Sequence, residues 1–178
     1  MKKVHLPLLI LPMLIWAQQH PPLNQMEQFI SRVGPTVNFE NYYLPGLQSA
    51  NGKFIYAKLR KVTGGNESQY FLILSAKDKN ASNSGILSER DLTEILNHLL
   101  ILQSTVKNGA DQSDYRESRY VTPDWFQIGC AYNAYEQKIL WSIILERDDD
   151  ATFFFHSPDD LEKNLTAALK MIETLKHK

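Results

Sequence analysis

The chain has 178 residues, 43% of them hydrophobic, with 19 Lys+Arg against 20 Asp+Glu and a formal charge of -1. That balance is not one of a protein built to coat nucleic acid, and the apolar content excludes a wholly disordered chain. The single cysteine, Cys130, excludes an intramolecular disulfide, so packing alone must hold the fold.

Residues 1–17 have the order of a secretory signal peptide: Lys2 and Lys3, an apolar run from Leu6 to Trp16, and the small Ala17. A spanning helix needs about twenty apolar residues, and this run is shorter and interrupted by Pro7 and Pro12. Ile15 departs from the pattern, because an A-x-A-like cleavage site would carry a second small residue there. The expectation is a secreted or periplasmic protein with no stable membrane anchor after signal cleavage. Cys130 lies too far downstream to carry a lipid at the cleavage site. Loss of residues 1–17 removes two lysines and no acid, leaving 17 Lys+Arg against 20 Asp+Glu, a charge of -3. Residues 18–24 then read as a flexible leader containing Pro21 and Pro22, and residues 25–178 as a single domain of ordinary size.

The first predicted element is a short helix over Gln25 to Val33, with Met26, Phe29, Ile30 and Val33 at helical spacing before Gly34-Pro35. A strand is expected over Asn38 to Leu47. From Lys53 to Val62 the pattern alternates, with Ile55, Ala57 and Leu59 opposed to Phe54, Tyr56, Lys58 and Arg60, and Gly64-Gly65-Asn66 supplies a turn. Tyr70 to Ala76 is apolar on both sides and predicts a central strand covered on both faces. Gly85-Ile86-Leu87 reads as a short fourth strand. Ser88-Glu89-Arg90-Asp91 then opens a capped helix with Leu92, Ile95, Leu96, Leu99 and Leu102 on its buried face. After a polar loop, strands are expected at Tyr115 to Thr122, Trp125 to Tyr132, Ile139 to Glu146 and Thr152 to His156. A final helix starts at Ser157-Pro158-Asp159-Asp160, with Leu161, Leu165, Ala168, Leu169 and Ile172 turned inward.

The two longer helices overlay at a constant shift of 69 residues, which puts Ser88 on Ser157, Asp91 on Asp160, Leu92 on Leu161, Leu96 on Leu165 and Leu100 on Leu169. Ile86 falls on Phe155 in the preceding strand. The reading is an α+β fold with antiparallel sheets in two pseudo-repeated β-rich halves, about 36–107 and 114–176, each closed by one amphipathic helix. A shared need for capped amphipathic helices accounts for such identities as well as duplication does. This element order resembles the whirly-type single-stranded nucleic-acid-binding fold, which implies two halves packed through their sheets and helices. The resemblance is one of topology, and the basic strand motif of that family is not recognisable in this chain.

No motif in the chain supplies a catalytic set, a metal site or a cofactor site. Asp148-Asp149-Asp150 lacks EF-hand spacing, since the sixth residue from Asp148 is Phe153 where the loop needs Gly. These acids read as a solvated turn that keeps two apolar strands soluble. His156, Ser157, Asp159 and Asp160 are neighbours in sequence, but triads are assembled from separate segments, and Ser157 is needed as a helix cap. His98 is expected on the polar side of its helix with Asp91 and Glu94. Cys130 alternates with Phe126, Ile128 and Tyr132 and reads as buried. Asn66, Asn80 and Asn164 match the N-glycosylation pattern, Asn164 within a predicted helix.

The aromatic side chains carry the remaining functional signal. Tyr42, Tyr43, Trp125, Tyr132 and Tyr135 are the candidate ligand- or partner-binding residues, because rings left on a surface offer large contact area at small entropic cost. The leading reading is an exported, non-catalytic module that binds a protein or small molecule through a sheet face or loop. An exported hydrolase whose site is assembled only by the fold is the second. A whirly-like single-strand binder is the third, with Lys53, Lys58, Arg60 and Lys61 as the one run that could begin a basic groove and the acidic balance against it.

Overall fold

The structure, a computed structural model, describes residues 23–77, 82–108, 113–146 and 152–177. The signal segment, most of the leader, Asn80, the centre of the polar loop at 109–112 and Asp148-Asp149-Asp150 lie outside the described residues. In chain order the elements are α1 (Gln25–Arg32), β1 (Val37–Gln48), β2 (Phe54–Gly64), β3 (Glu67–Lys77), β4 (Ser82–Ser88) and α2 (Glu89–Lys107). The second half follows with β5 (Tyr115–Val121), β6 (Gln127–Asn133), β7 (Lys138–Ile144), β8 (Thr152–Phe155) and α3 (Asp159–Lys176). Every strand pairs antiparallel with its sequence neighbour, giving one sheet ordered β1-β2-β3-β4 and another ordered β5-β6-β7-β8. The fold is α+β, with four strands followed by a helix, twice.

Alternation decides which side of each sheet is buried. In the first sheet Ile55, Ala57, Leu59, Leu72, Leu74 and Leu87 face inward; in the second, Ile128, Cys130, Trp141, Ile143, Phe153 and Phe155 do. These inner faces join Leu92, Ile95, Leu99, Leu102 and Val106 of α2 and Leu161, Leu165, Ala168 and Ile172 of α3 in one core. The halves are interlocked: α2 also lies against β5 and β6 of the other half, and α3 lies against β1. Asn164 of α3 donates from Nδ2 to the Pro45 carbonyl, at a bulge in β1 between Leu44 and Leu47. That residue is 4% exposed, so the third glycosylation sequon is occupied by packing in the folded chain.

The two helix starts differ more than their sequences suggest. Ser88 and Asp91 form a reciprocal capping box, in which Ser88 Oγ accepts from the Asp91 amide and Asp91 Oδ2 accepts from the Ser88 amide. At α3 the cap residue is Pro158, and Ser157 Oγ accepts from the Asp159 amide at 3.2 Å, two residues on. The 69-residue overlay keeps Leu92 and Leu161 buried together, but Leu100 is 75% exposed and does not share the inward position of its counterpart. It also fails in the preceding strands. Ile86 packs outward against α1, whereas Phe155 is in the central core. A shift that suits a period of 3.6 need not preserve a period of 2, where one residue reverses the face.

Phe71 reveals why β3 is apolar on both sides. Together with Val62 it forms a second, small core on the outside of the first sheet, closed by Phe29 of α1 and flanked by Met26, Ile30, Val33 and Ile86. Helix α1 therefore covers one end of that outer face. It is tied down at its first residue, where the Gln25 amide donates to both Asp124 carboxylate oxygens at 3.2 and 3.0 Å and Gln25 Nε2 donates to Asp91 Oδ2 at 2.8 Å. Asp91 is fully buried by this arrangement, not on the solvent side of α2 as the helical pattern suggests.

Candidate functional site

The two sheets leave two outer surfaces. On the first sheet, beyond the part covered by α1, β1 and β2 present Phe39, Tyr43, Phe54 and Tyr56, which are 48%, 81%, 48% and 59% exposed. Strand register gathers them, because Tyr43 is paired across to Lys58, Asn41 to Arg60 and Phe39 to Val62, all on one face. The Arg60 guanidinium lies 5.4 Å over the Phe39 ring and donates from Nε to Asn41 Oδ1 at 2.9 Å. Phe54 and Tyr56 meet edge to face with centroids 4.9 Å apart. Gly46 in the bulge makes this possible, since a Cβ there would lie 2.3 Å from Phe54 Cζ. The resulting concavity, about 390 Å³, is lined by Tyr43, Phe54, Tyr56, Lys58 and Ser75. Glu67, the carboxylate on the described part of this face, sits at its far end and pairs with Arg32 at 2.8 Å.

The outer surface of the second sheet has a different construction. Its central positions are small, Gly129 and Ala131 on β6, and the taller side chains stand on neighbouring strands. A Cβ at Gly129 would lie 2.9 Å from Ser142 Oγ, 3.2 Å from Arg119 Cγ and 3.5 Å from Glu117 Oε1. The space above the strand is thus used by the Glu117–Arg119 ion pair, and Arg119 also donates to Gln127 Oε1 at 3.2 Å. An open trough of about 490 Å³ results, with Leu140 and Ile144 in its floor and Tyr115, Phe154 and His156 among its lining residues. Tyr115 donates to Glu117 Oε2 at 3.1 Å, and burial followed by the Glu117 charge pushes its phenol above the ordinary value.

The five aromatic candidates are not brought together. Tyr43 alone belongs to the first outer face. Tyr42 points to the other side of β1, packs against the core and donates to Glu40 Oε2 at 2.7 Å, a bond that raises its own pKa and, with Lys61, lowers that of Glu40. Tyr132 also packs against the core. Trp125 lies in the connection before β6, at a φ of 67°, not within the strand. Tyr135, 82% exposed, is in the turn at the opposite end of β6. Tyr43, Trp125 and Tyr135 are exposed, and so are Phe39, Phe54, Tyr56, Tyr115 and Phe154, which lie outside the candidate set. The β2 alternation already opposed Phe54 and Tyr56 to the core residues, but the β1 register that adds Tyr43 and Phe39 is a tertiary fact.

The other polar groups have structural partners. His98 is half-buried, with Nδ1 2.7 Å from the Glu94 carbonyl and its ring 4.4 Å from that of Tyr120. Tyr120 donates to Glu94, and burial with that carboxylate pushes its phenol up to about 12. Of the basic run, Lys58 and Arg60 share the aromatic face, whereas Lys61 turns to the other side and pairs with Glu40 at 3.3 Å. Cys130 is buried in the core. Among the described residues no group of three or more His, Cys, Asp and Glu is arranged to hold a metal ion, and no helix is long and apolar enough to cross a membrane. Comparison with protein families, curated proteins and solved structures finds no match to the chain.

Proposed function

We propose that the chain is an exported, non-catalytic binding module and that it holds a partner protein on the outer face of the first sheet. The observation that carries this is the gathering of four exposed rings and the Lys58 and Arg60 cations on one sheet face. Tyrosine and arginine concentrate binding energy at protein interfaces because each offers a large contact surface with a polar end. Export is supported by the composition of residues 1–17 alone. In a partner complex, Tyr56→Ala is expected to cost about 2 kcal/mol of binding free energy.

A photo-crosslinking residue placed in turn at Tyr43, Tyr56 and Tyr135, in the chain expressed in its own host, tests the reading. The expected result is one discrete protein adduct from positions 43 and 56 and none from 135. Equal adducts from all three, or none from 43 and 56, would overturn it. Single-stranded nucleic acid is the second reading, favoured by two cations sharing a face with stacking rings. It requires salt-sensitive binding of a labelled oligonucleotide that Lys58→Glu and Arg60→Glu abolish.

A further inference from the structure

We infer that the trough on the outer face of the second sheet is a separate site for a neutral or weakly charged saccharide. The inference is independent of the partner reading, because the two surfaces lie on different sheets and share no residue.

Three properties of the trough select the ligand. Its volume of about 490 Å³ lies within the range of small-ligand sites, and four strands at 4.7–4.9 Å spacing give it a width of about 14 Å. Its polar groups include both signs of charge and neutral amide and hydroxyl groups: Glu117, Arg119, Asn133, Lys138, Ser142 and Thr152. Sugar hydroxyls both donate and accept, so a mixed set of this kind suits them better than it suits a single anion or cation. The third property is a partly exposed ring on each edge strand, Tyr115 of β5 at 58% and Phe154 of β8 at 39%, and either can pack against the C–H face of one sugar ring.

The molecule itself supplies a contrast. Where a helix covers an outer face, as α1 covers the first sheet, the surface beneath it is Val62, Phe71 and Ile86. The second sheet sets Glu117, Arg119 and Ser142 around a glycine and beside Leu140, Ile144 and Phe154, and the ion pair at its centre is a poor match for an apolar helix face. Gly129 is the specific device, because the place of its missing Cβ is taken by Ser142 Oγ and by Arg119, which lies across the strand beside the trough already ion-paired to Glu117. Groups fixed before the ligand arrives lose little entropy on binding.

The test uses the full mature chain, isotope-labelled, titrated separately with cellobiose, chitobiose and maltose to about 10 mM, so that even millimolar affinity is detected. Saturable shifts of the Gly129, Ala131 and Ser142 amides with at least one disaccharide are expected. Phe154→Ala should weaken that binding about tenfold, a loss of about 1.4 kcal/mol. Gly129→Val should abolish it, with strand dispersion in the spectrum showing that the variant is folded; Phe154→Ala alone decides if that variant unfolds. The control Leu100→Ser, on the exposed side of α2, should bind as wild type. No shift with any of the three sugars, shifts confined to the first sheet, or undiminished binding by Phe154→Ala would each overturn the inference.

Discussion

The two halves have the same element order and treat their outer faces in opposite ways. The first half carries Val62, Phe71 and Ile86 outside its sheet and needs α1 to cover them. The second carries Gly129, Ala131 and Ser142 there beside Leu140, Ile144 and Phe154, and among the described residues no helix covers it. Large apolar residues outside a sheet demand a covering element, whereas small and polar ones leave a concavity. Similar architecture has thus produced a partly covered aromatic platform on one side and an open trough of mixed polar and apolar lining on the other.

The strongest way to break this comparison is to remove the covered ring. Phe71→Ala should destabilise the chain by about 3 to 5 kcal/mol, because it empties a closed apolar site; chemical denaturation measures it. A loss below about 1 kcal/mol would mean that α1 is not an integral cover. The helix starts give the next effect. Ser88→Ala, which breaks a reciprocal capping box, should cost about 1 kcal/mol, and Ser157→Ala, which removes a single contact outside any capping box, no more than a few tenths. Equal costs at the two sites would remove this difference between the halves.

Asp124 offers a smaller, pH-dependent effect at the foot of α1. Burial is the main cause that raises its carboxyl above 3.8; the Asp91 and Glu27 charges add to it, and hydrogen bonding from Gln25 opposes it. A raised folded pKa means that the folded state binds the proton more tightly, so this group's contribution falls as pH rises from about 3.8 through the folded value. Asp124→Asn should flatten that part of the stability profile, which thermal melts between pH 3 and 7 would reveal as a smaller decline as pH rises from about 3.8. An unchanged profile would mean that Asp124 has no such role. The smallest effect sharpens the functional side of the comparison. Tyr43→Ser and Tyr56→Ser should alter folding stability by no more than about 0.5 kcal/mol, because both rings are mostly in solvent. A larger loss would mean that these rings support the fold, and would weaken their assignment to a partner.

Legibility in the sequence followed physical range. Ser88 and Asp91 announced α2 because a cap is made by residues three apart, and Ile55, Ala57 and Leu59 announced the inner side of β2 because alternation is local. The placement of Asp91 was not legible: its burial depends on Gln25, 66 positions away in the chain. Nor was the grouping of the aromatic residues. Tyr42 and Tyr43 are adjacent in sequence and end on opposite sides of a sheet, while Tyr43 and Tyr56 come together through pairing of β1 with β2. The trough was hidden for a similar reason, since a glycine in a strand signals a site only when the side chains of both neighbouring strands are known.

By itself the sequence determined the strands, the helices, their inward faces and the order of four strands and a helix, because periodicity, caps and turns act over a few residues. Only the tertiary structure decided that α1 would cover one sheet, that α2 and α3 would each lie against the other half, and that Arg119 and Ser142 would meet over Gly129 beside a trough. Those outcomes depend on which segments meet across long separations, and a surface takes its chemistry from all of the strands that border it.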